Sequence, residues 1–210
     1  MYTALRSTTV TLTEMLEQHL ENDPGLRTMF NPDDGGTMVV SASTPQEMVD
    51  HNLAGLSVWL YRIDRDEQLL NHPPPRPGFA RRERRGLSLR LHYLVTPIAD
   101  GNQDGTGPPL EQSILGKVLQ TFHDHPLLSG VDLHGDFSGS GLEIAVRLEP
   151  LGLEEITRVW DALERSYQLC VSYEVSVVMV ASDAEAASTS PVDAVLGEYG
   201  VITAAEESPV

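Results

Sequence analysis

The chain of 210 residues contains a single cysteine, Cys170, which excludes an internal disulfide and a cysteine-rich zinc site. It also lacks an apolar run near the ~20 residues that a membrane-spanning helix needs. The first ten residues have neither the basic start nor the apolar core of a signal peptide. These absences predict a protein outside the membrane and the secretory route, and the lone cysteine suits the reducing cytoplasm.

Basic residues are scarce, with 14 Lys and Arg against 31 Asp and Glu, so the formal charge is -17. Residues 76–90 are the exception, because they hold six arginines and one glutamate and carry +5, which leaves -22 for the rest. A chain with this balance would repel phosphates over most of its surface. Nucleic-acid binding is therefore disfavoured, the more so because no aromatic residue for base stacking lies within residues 81–85.

Apolar periodicity predicts a mixed α/β domain of the α+β kind, with a mixed central sheet flanked by helices. Apolar residues recur at helical spacing in three segments and alternate in four others. A further short apolar run, TMVVSAS, suits an edge strand. The predicted helices cover 11–21, 110–123 and 153–166, and the predicted strands cover 56–63, 87–96, 142–149 and 169–181.

Local patterns extend this prediction to faces and helix ends. Thr11 and Glu14 have capping-box spacing, which predicts a helix start there. The segment LSVWLYRI has apolar residues on both sides and predicts a strand covered on both faces, whereas LSLRLHYLVT alternates and predicts one polar face. Cys170 is expected in the inner part of the last strand, and Trp160 is expected to be buried on the last helix.

The composition changes after Ser182, where most residues are small or acidic and apolar residues show only a weak repeat. We therefore predict one domain over residues 1–182 and a flexible acidic tail over residues 183–210.

The arginines of the GFARRERRGLS segment form the most unusual local feature of the chain. Arg81, Arg82, Arg84 and Arg85 fall on a long, polar, proline-rich connection between two predicted strands, which places them on an exposed loop. A charge run of this kind is often only a solvated loop. The alternative is an interface that contacts an acidic protein surface, including that of a neighbouring copy in a ring.

No set of residues in the sequence has the spacing of a catalytic or metal site. His123 and His125 lie at a helix end without a third and fourth ligand nearby, GDFSGSG lacks the lysine of a phosphate loop, and no GxSxG motif is present. The pairs Asp33–Asp34 and Glu154–Glu155 suit a turn and a first helical turn. The sequence therefore predicts a protein that is not an enzyme and that binds neither a metal nor a cofactor.

Several segments together resemble the cap, or tail-terminator, proteins of phage-tail-like contractile injection systems of the extracellular type, a family with a characteristic cap-protein N-terminal domain. The resemblance covers most of residues 3–181, although Gly152 stands where the family tends to have a better helix cap. The most specific segments are LHYLVTP, ILGKVLQTFHDHPLL and LEEITRVWDALERSYQLCVSYEV.

The resemblance implies a tail-terminator-like fold and a structural cap. Such a protein forms a six-fold ring that ends the inner tube and the sheath at the end distal to the baseplate. Its implied partners are copies of itself, the tube protein and the sheath protein, with no nucleic acid and no membrane. Assembly would take place in the cytoplasm, and release of the particle is left open. The sequence is also compatible with two other classes: a soluble adaptor that forms no ring, and a small-molecule enzyme whose pocket the sequence does not reveal.

Overall fold

A computed structural model describes residues 2–67, 81–82, 86–99, 107–183 and 187–188. The chain divides into two compact units, of which the larger consists of Met1–His72 and Gly86–Ser182 and the smaller of Pro73–Arg85 and Asp183–Val210. The larger unit contains a six-stranded sheet and its helices, and the smaller contains one pair of two-residue strands.

The strands confirm the predicted mixed sheet. In the larger unit the strand order is β1-β2-β4-β7-β6-β5, with β1 parallel to β2 and every other pair antiparallel. In chain order the strands are β1 Val39–Ser41, β2 Gly55–Arg65, β3 Arg81–Arg82, β4 Leu87–Ile98, β5 Leu127–Ser129, β6 Glu143–Glu149, β7 Val171–Val180 and β8 Ala187–Ser188.

The three predicted helices are confirmed as well. The helices are α1 Ala4–Glu21, α2 Arg27–Phe30, α3 Pro45–Asp50, α4 Gly107–Asp124 and α5 Leu153–Ala162. Periodicity did not predict α2, α3 and β5, because segments of three to six residues are too short to show a repeat.

The predicted start of α1 is wrong, because the helix begins seven residues earlier, at Ala4. Thr11 is therefore an interior residue, fully buried, and its hydroxyl accepts a hydrogen bond from the His134 N–H at 3.0 Å. The Ser7 hydroxyl likewise accepts from the Asp136 N–H at 3.2 Å. These buried hydroxyls hold the loop before β6 against α1, so they make long-range contacts where the sequence suggested a local cap.

The sheet is covered by helices on both faces. Leu12 and Leu16 of α1 and Ile114 and Val118 of α4 pack with the main core cluster on one face. On the other face Trp160 of α5 packs with Leu94 and Cys170. Trp160 is 2% exposed, which confirms its predicted burial.

Two predictions of strand faces were wrong, one for β4 and one for β2. β4 is buried on both faces from Leu91 to Ile98, because Trp160 of α5 packs on Leu94, α3 also contacts the strand, and Arg62 and Glu149 contact His92. β2 is covered only in its first half, and Ile63 is 46% exposed. Cys170 lies just before β7 and not within it.

Candidate functional site

The predicted interface arginines fall in the smaller unit. Arg81 and Arg82 form β3, which pairs antiparallel with β8 in the register Arg81 with Ser188 and Arg82 with Ala187. Arg84 and Arg85 lie outside the described residues. The structure thus adds one fact that the sequence did not predict, namely that the arginine segment pairs with a segment of the acidic tail.

In the larger unit, an irregularity between β2 and β4 gathers a cluster of polar side chains. Leu60 pairs with Tyr93, but the next pair is Arg62 with His92, so β2 has one extra residue. A bulge of this kind changes the alternation of side chains, so that neighbouring residues can point to the same face. Tyr61 and Arg62 consequently both contact the His92 side of the sheet, where β6 and β7 add Glu149 and Ser172.

His92 lies at the centre of this polar cluster, with its side chain only 3% exposed. Its Nδ1 is 3.0 Å from Oε2 of Glu149, and its Nε2 is 3.1 Å from Oδ2 of Asp64. The guanidinium of Arg62 lies 3.0 Å from Nδ1 and donates to Oε1 of Glu149 at 2.8 Å. The cluster therefore joins two carboxylates, one guanidinium and one imidazole in mutual contact.

Glu149 is the acceptor that these groups share. Burial would raise its pKa, but hydrogen bonds from His92 and Ser172 and the charge of Arg62 outweigh burial, so the pKa is lowered. Ser172 donates to Oε2 of Glu149 at 2.7 Å, and the Tyr61 hydroxyl approaches the same oxygen at 3.3 Å. Glu149 is thus held as a carboxylate by donors from β2, β4 and β7.

A serine, a histidine and a glutamate in contact raise the question of nucleophilic catalysis. In a catalytic triad the histidine lies between the serine and the carboxylate, and it takes the hydroxyl proton. Here Glu149 lies in the middle, so Ser172 donates to a carboxylate of lowered pKa, which is a weak base. The arrangement fits a structural network better than an activated nucleophile.

A second charge network continues the first toward the ends of β2 and β4. Arg90 lies 3.3 Å from the buried Asp66 and 3.7 Å from Glu174 of β7. Together the two networks line an open pocket of about 520 Å³, and every side chain that lines it is charged or is His92. A small-molecule site is usually mostly apolar with a few polar groups, so this pocket has the wrong lining for one.

The histidine pair near the end of α4 shows no metal geometry. The ring of His125 packs edge-on against that of His19, with 5.2 Å between the centroids. Within the described ranges no group of three or more His, Cys, Asp or Glu side chains is placed to hold a metal ion. Burial raises the pKa of the Cys170 thiol, which disfavours the reactive thiolate form.

The acidic pairs have structural roles in agreement with the sequence interpretation. Glu155 accepts the N–H of Gly152 at 2.9 Å at the start of α5, and Glu154 pairs with Arg158 one turn later. Gly152 has no side chain that could accept a hydrogen bond from the Glu155 N–H. The start of α5 therefore has only one of the two hydrogen bonds of a capping box. Asp34 forms an ion pair with Arg27.

Sequence reasoning missed the polar cluster. The available signal was that Arg90 and His92 alternate with apolar residues and so share a polar strand face, but this pattern does not show which distant side chains meet them there. Arg62 and Glu149 are 87 positions apart, and only the strand order brings them together.

The sequence matches the family described as the Pvc16 N-terminal domain over residues 7–194, which is most of the chain. The chain belongs to the Pvc16 N-terminal domain family. This membership agrees with the family that the sequence segments resembled.

Solved structures whose fold is similar to that of this chain include the two that follow. One is the sheath/tube terminator, in its extended state, of the extracellular contractile injection system PVC, with a TM-score of 0.52 and 17% identity over 95% of this chain and 64% of that chain. The other is the tube-terminating cap of the anti-feeding prophage, with a TM-score of 0.52 and 16% identity over 89% of this chain and 59% of that chain. The chain therefore spans less than two thirds of either neighbour.

No curated protein matches the sequence of this chain significantly. In the described part of the chain, no helix is long and apolar enough to cross a membrane.

Proposed function

We propose that this Pvc16 N-terminal domain is part of a structural cap that terminates the inner tube and the sheath of a contractile phage-tail-like particle. The observation that carries the proposal is the family match over residues 7–194, supported by the fold shared with a sheath/tube terminator and with a tube-terminating cap. In this proposal the cap is a six-fold ring of identical subunits at the end distal to the baseplate. Its partners are the tube protein and the sheath protein.

The chemistry of the described residues supports a structural role over an enzymatic one. The cluster around His92 has its carboxylate in the middle and its pocket lined by charges, so it offers neither an activated nucleophile nor an apolar binding site. A cap needs exposed surfaces that repeat around a ring, where several weak contacts add through avidity.

The arginine segment is the part of the chain that we assign to assembly. Arg81, Arg82, Arg84 and Arg85 carry most of the local positive charge of an acidic protein, so they are suited to steer one subunit onto an acidic neighbour. The domain of residues 1–182 would then form the body of the ring, and residues 183–210 would form a tail that extends contacts to a sheath subunit.

A gene deletion tests the cap role directly. Without the protein, tube and sheath subunits are expected to polymerise but not to stop at a defined length or to hold an extended sheath. Electron micrographs of the deletion strain and of the strain complemented with the wild-type gene measure both properties. Particles of normal length and stability in the deletion strain would contradict the proposal, and failure of the complemented strain would assign the defect to another gene.

A further inference from the structure

An apolar groove of about 610 Å³ lies between the C-terminal part of α4 and strand β6. Its lining includes Phe122 of α4, Val146 and Leu148 of β6, and Tyr173 of β7. Leu148 is 56% exposed, although it shares this lining with side chains that are almost fully buried. Contiguous apolar surface that stays open beside a core is a feature of contact sites, whereas a single exposed apolar side chain is normal.

The groove also contains a hydrogen-bond donor without an acceptor. The Tyr173 residue is 3% exposed, its ring packs edge-on against Phe122, and its hydroxyl has no hydrogen-bond partner among the described residues. Burial raises the pKa of Tyr173 to about 12, so the hydroxyl keeps its proton at neutral pH. The hydroxyl oxygen is not one of the fully buried polar atoms that lack a partner, so it is open to water or to an acceptor supplied from outside, such as a carbonyl or carboxylate.

The described residues that line the groove include one cation and no carboxylate, in a chain that is otherwise strongly acidic. The cation is Arg147, which is exposed and lies opposite Glu174 of β7 in the strand register. The rim therefore favours an acidic group beside the apolar floor.

Strand β6 offers backbone groups next to the same groove. On its outer side it pairs with β5 only from Glu143 to Ala145, and the Val146 N–H donates to the Pro126 carbonyl at 2.9 Å. Beyond Val146, no described residue continues this pairing toward Glu149. An open strand edge beside side-chain pockets is the geometry by which an extended peptide adds to a sheet.

We propose that this groove binds an extended segment of a partner protein that carries an apolar side chain next to a carboxylate. The apolar side chain would lie on Leu148 and Phe122, the carboxylate would face Arg147, and a polar atom of the segment would accept the Tyr173 hydroxyl. The proposal goes beyond the cap role and does not depend on it.

The test measures binding of a fluorescein-labelled synthetic peptide, VDLDVT, to the full chain by fluorescence anisotropy. Leu148→Ser and Arg147→Glu are each expected to weaken binding by about fivefold or more, because one removes apolar contact and the other reverses the rim charge. Leu153→Ser and Arg6→Glu are matched controls, since both positions are exposed and lie outside the groove. The control variants are expected to bind like the wild type.

A second peptide and a third variant separate the contributions. VKLKVT, which reverses the charge, is expected to bind more weakly than VDLDVT, and Tyr173→Phe is expected to weaken VDLDVT binding while its melting temperature stays near that of the wild type. Equal binding of both peptides, or wild-type binding by the Leu148→Ser and Arg147→Glu variants, would overturn the proposal. So would the absence of saturable binding up to roughly millimolar peptide.

Discussion

Arg62 of β2 and Glu149 of β6 form an ion pair of 2.8 Å although β4 and β7 lie between their strands. The pair is possible because the bulge in β2 brings Arg62 to the His92 face, where His92 and Ser172 bridge the intervening strands to the same carboxylate. This carboxylate thus links the polar side chains of four strands.

Replacing Glu149 with glutamine is expected to lower the free energy of unfolding by about 1–3 kcal/mol, because partly buried donors lose a charged acceptor. The Glu149 side chain is only 16% exposed, so solvent cannot fully replace it. Urea titration measures the change. Glu154→Gln is the control. The Glu154 side chain is 80% exposed, so its ion pair with Arg158 should contribute almost nothing to the free energy of unfolding.

The same carboxylate predicts how stability changes with pH. The pKa of Glu149 is lowered from its ordinary value of 4.5, so the folded state binds this proton more weakly than the unfolded state. Its contribution is therefore complete above pH 4.5 and is lost as the pH falls through the lower pKa of the folded state. Thermal melts of wild type and Glu149→Gln should converge as the pH is lowered, and a constant difference would contradict this account.

Truncation of Trp160 tests the second core. Trp160→Ala is expected to cost about 3–5 kcal/mol, because it leaves a cavity between α5 and the sheet. Leu153→Ala on the same helix should change stability by less than about 0.5 kcal/mol, since Leu153 is 72% exposed. A denaturant titration compares the two, and a Trp160 effect near zero would mean that this face is open in solution.

Gly55 is expected to be intolerant of any side chain. Its φ is +137°, and a Cβ there would overlap the backbone of Val39 in β1. Gly55→Ala should therefore destabilise by more than about 1 kcal/mol. Gly116→Ala, inside α4 with open space around it, should instead stabilise by roughly 0.5–1 kcal/mol. Opposite signs in thermal melts would confirm both, and equal effects would contradict the structural distinction.

The arginine segment is expected to matter for assembly and not for folding. Replacing Arg81, Arg82, Arg84 and Arg85 with serine or glutamine should leave the melting temperature nearly unchanged, because β3 pairs with β8 through backbone groups. Incorporation into assembled tube and sheath should fall, and added salt should weaken wild-type association in the same direction. Circular dichroism checks the fold and co-sedimentation across a salt series measures association.

If the folded quadruple variant co-sediments with tube and sheath as well as the wild type does, the four arginines form only a solvated loop. A salt effect without a variant effect would place the charged contact elsewhere on the chain.

Local periodicity in the sequence was enough to determine the three long helices, the four long strands and the α+β class. Alternating and helical repeats arise from residues that are close in sequence, so they can be recognised without knowing which strand lies alongside. The burial of Trp160 followed from the same repeat.

Strand order, the second core layer and the polar cluster were decided only by the tertiary structure. Thr11 resembled a helix cap, but α1 begins at Ala4 and the Thr11 hydroxyl accepts a hydrogen bond from the loop at His134, 123 positions away. His92 was expected on a polar strand face but is buried, because β6, β7 and the bulge in β2 surround it with Glu149, Ser172 and Arg62. Pairing between distant segments sets the environment of each side chain, and a repeat within one segment carries no information about which segment lies beside it.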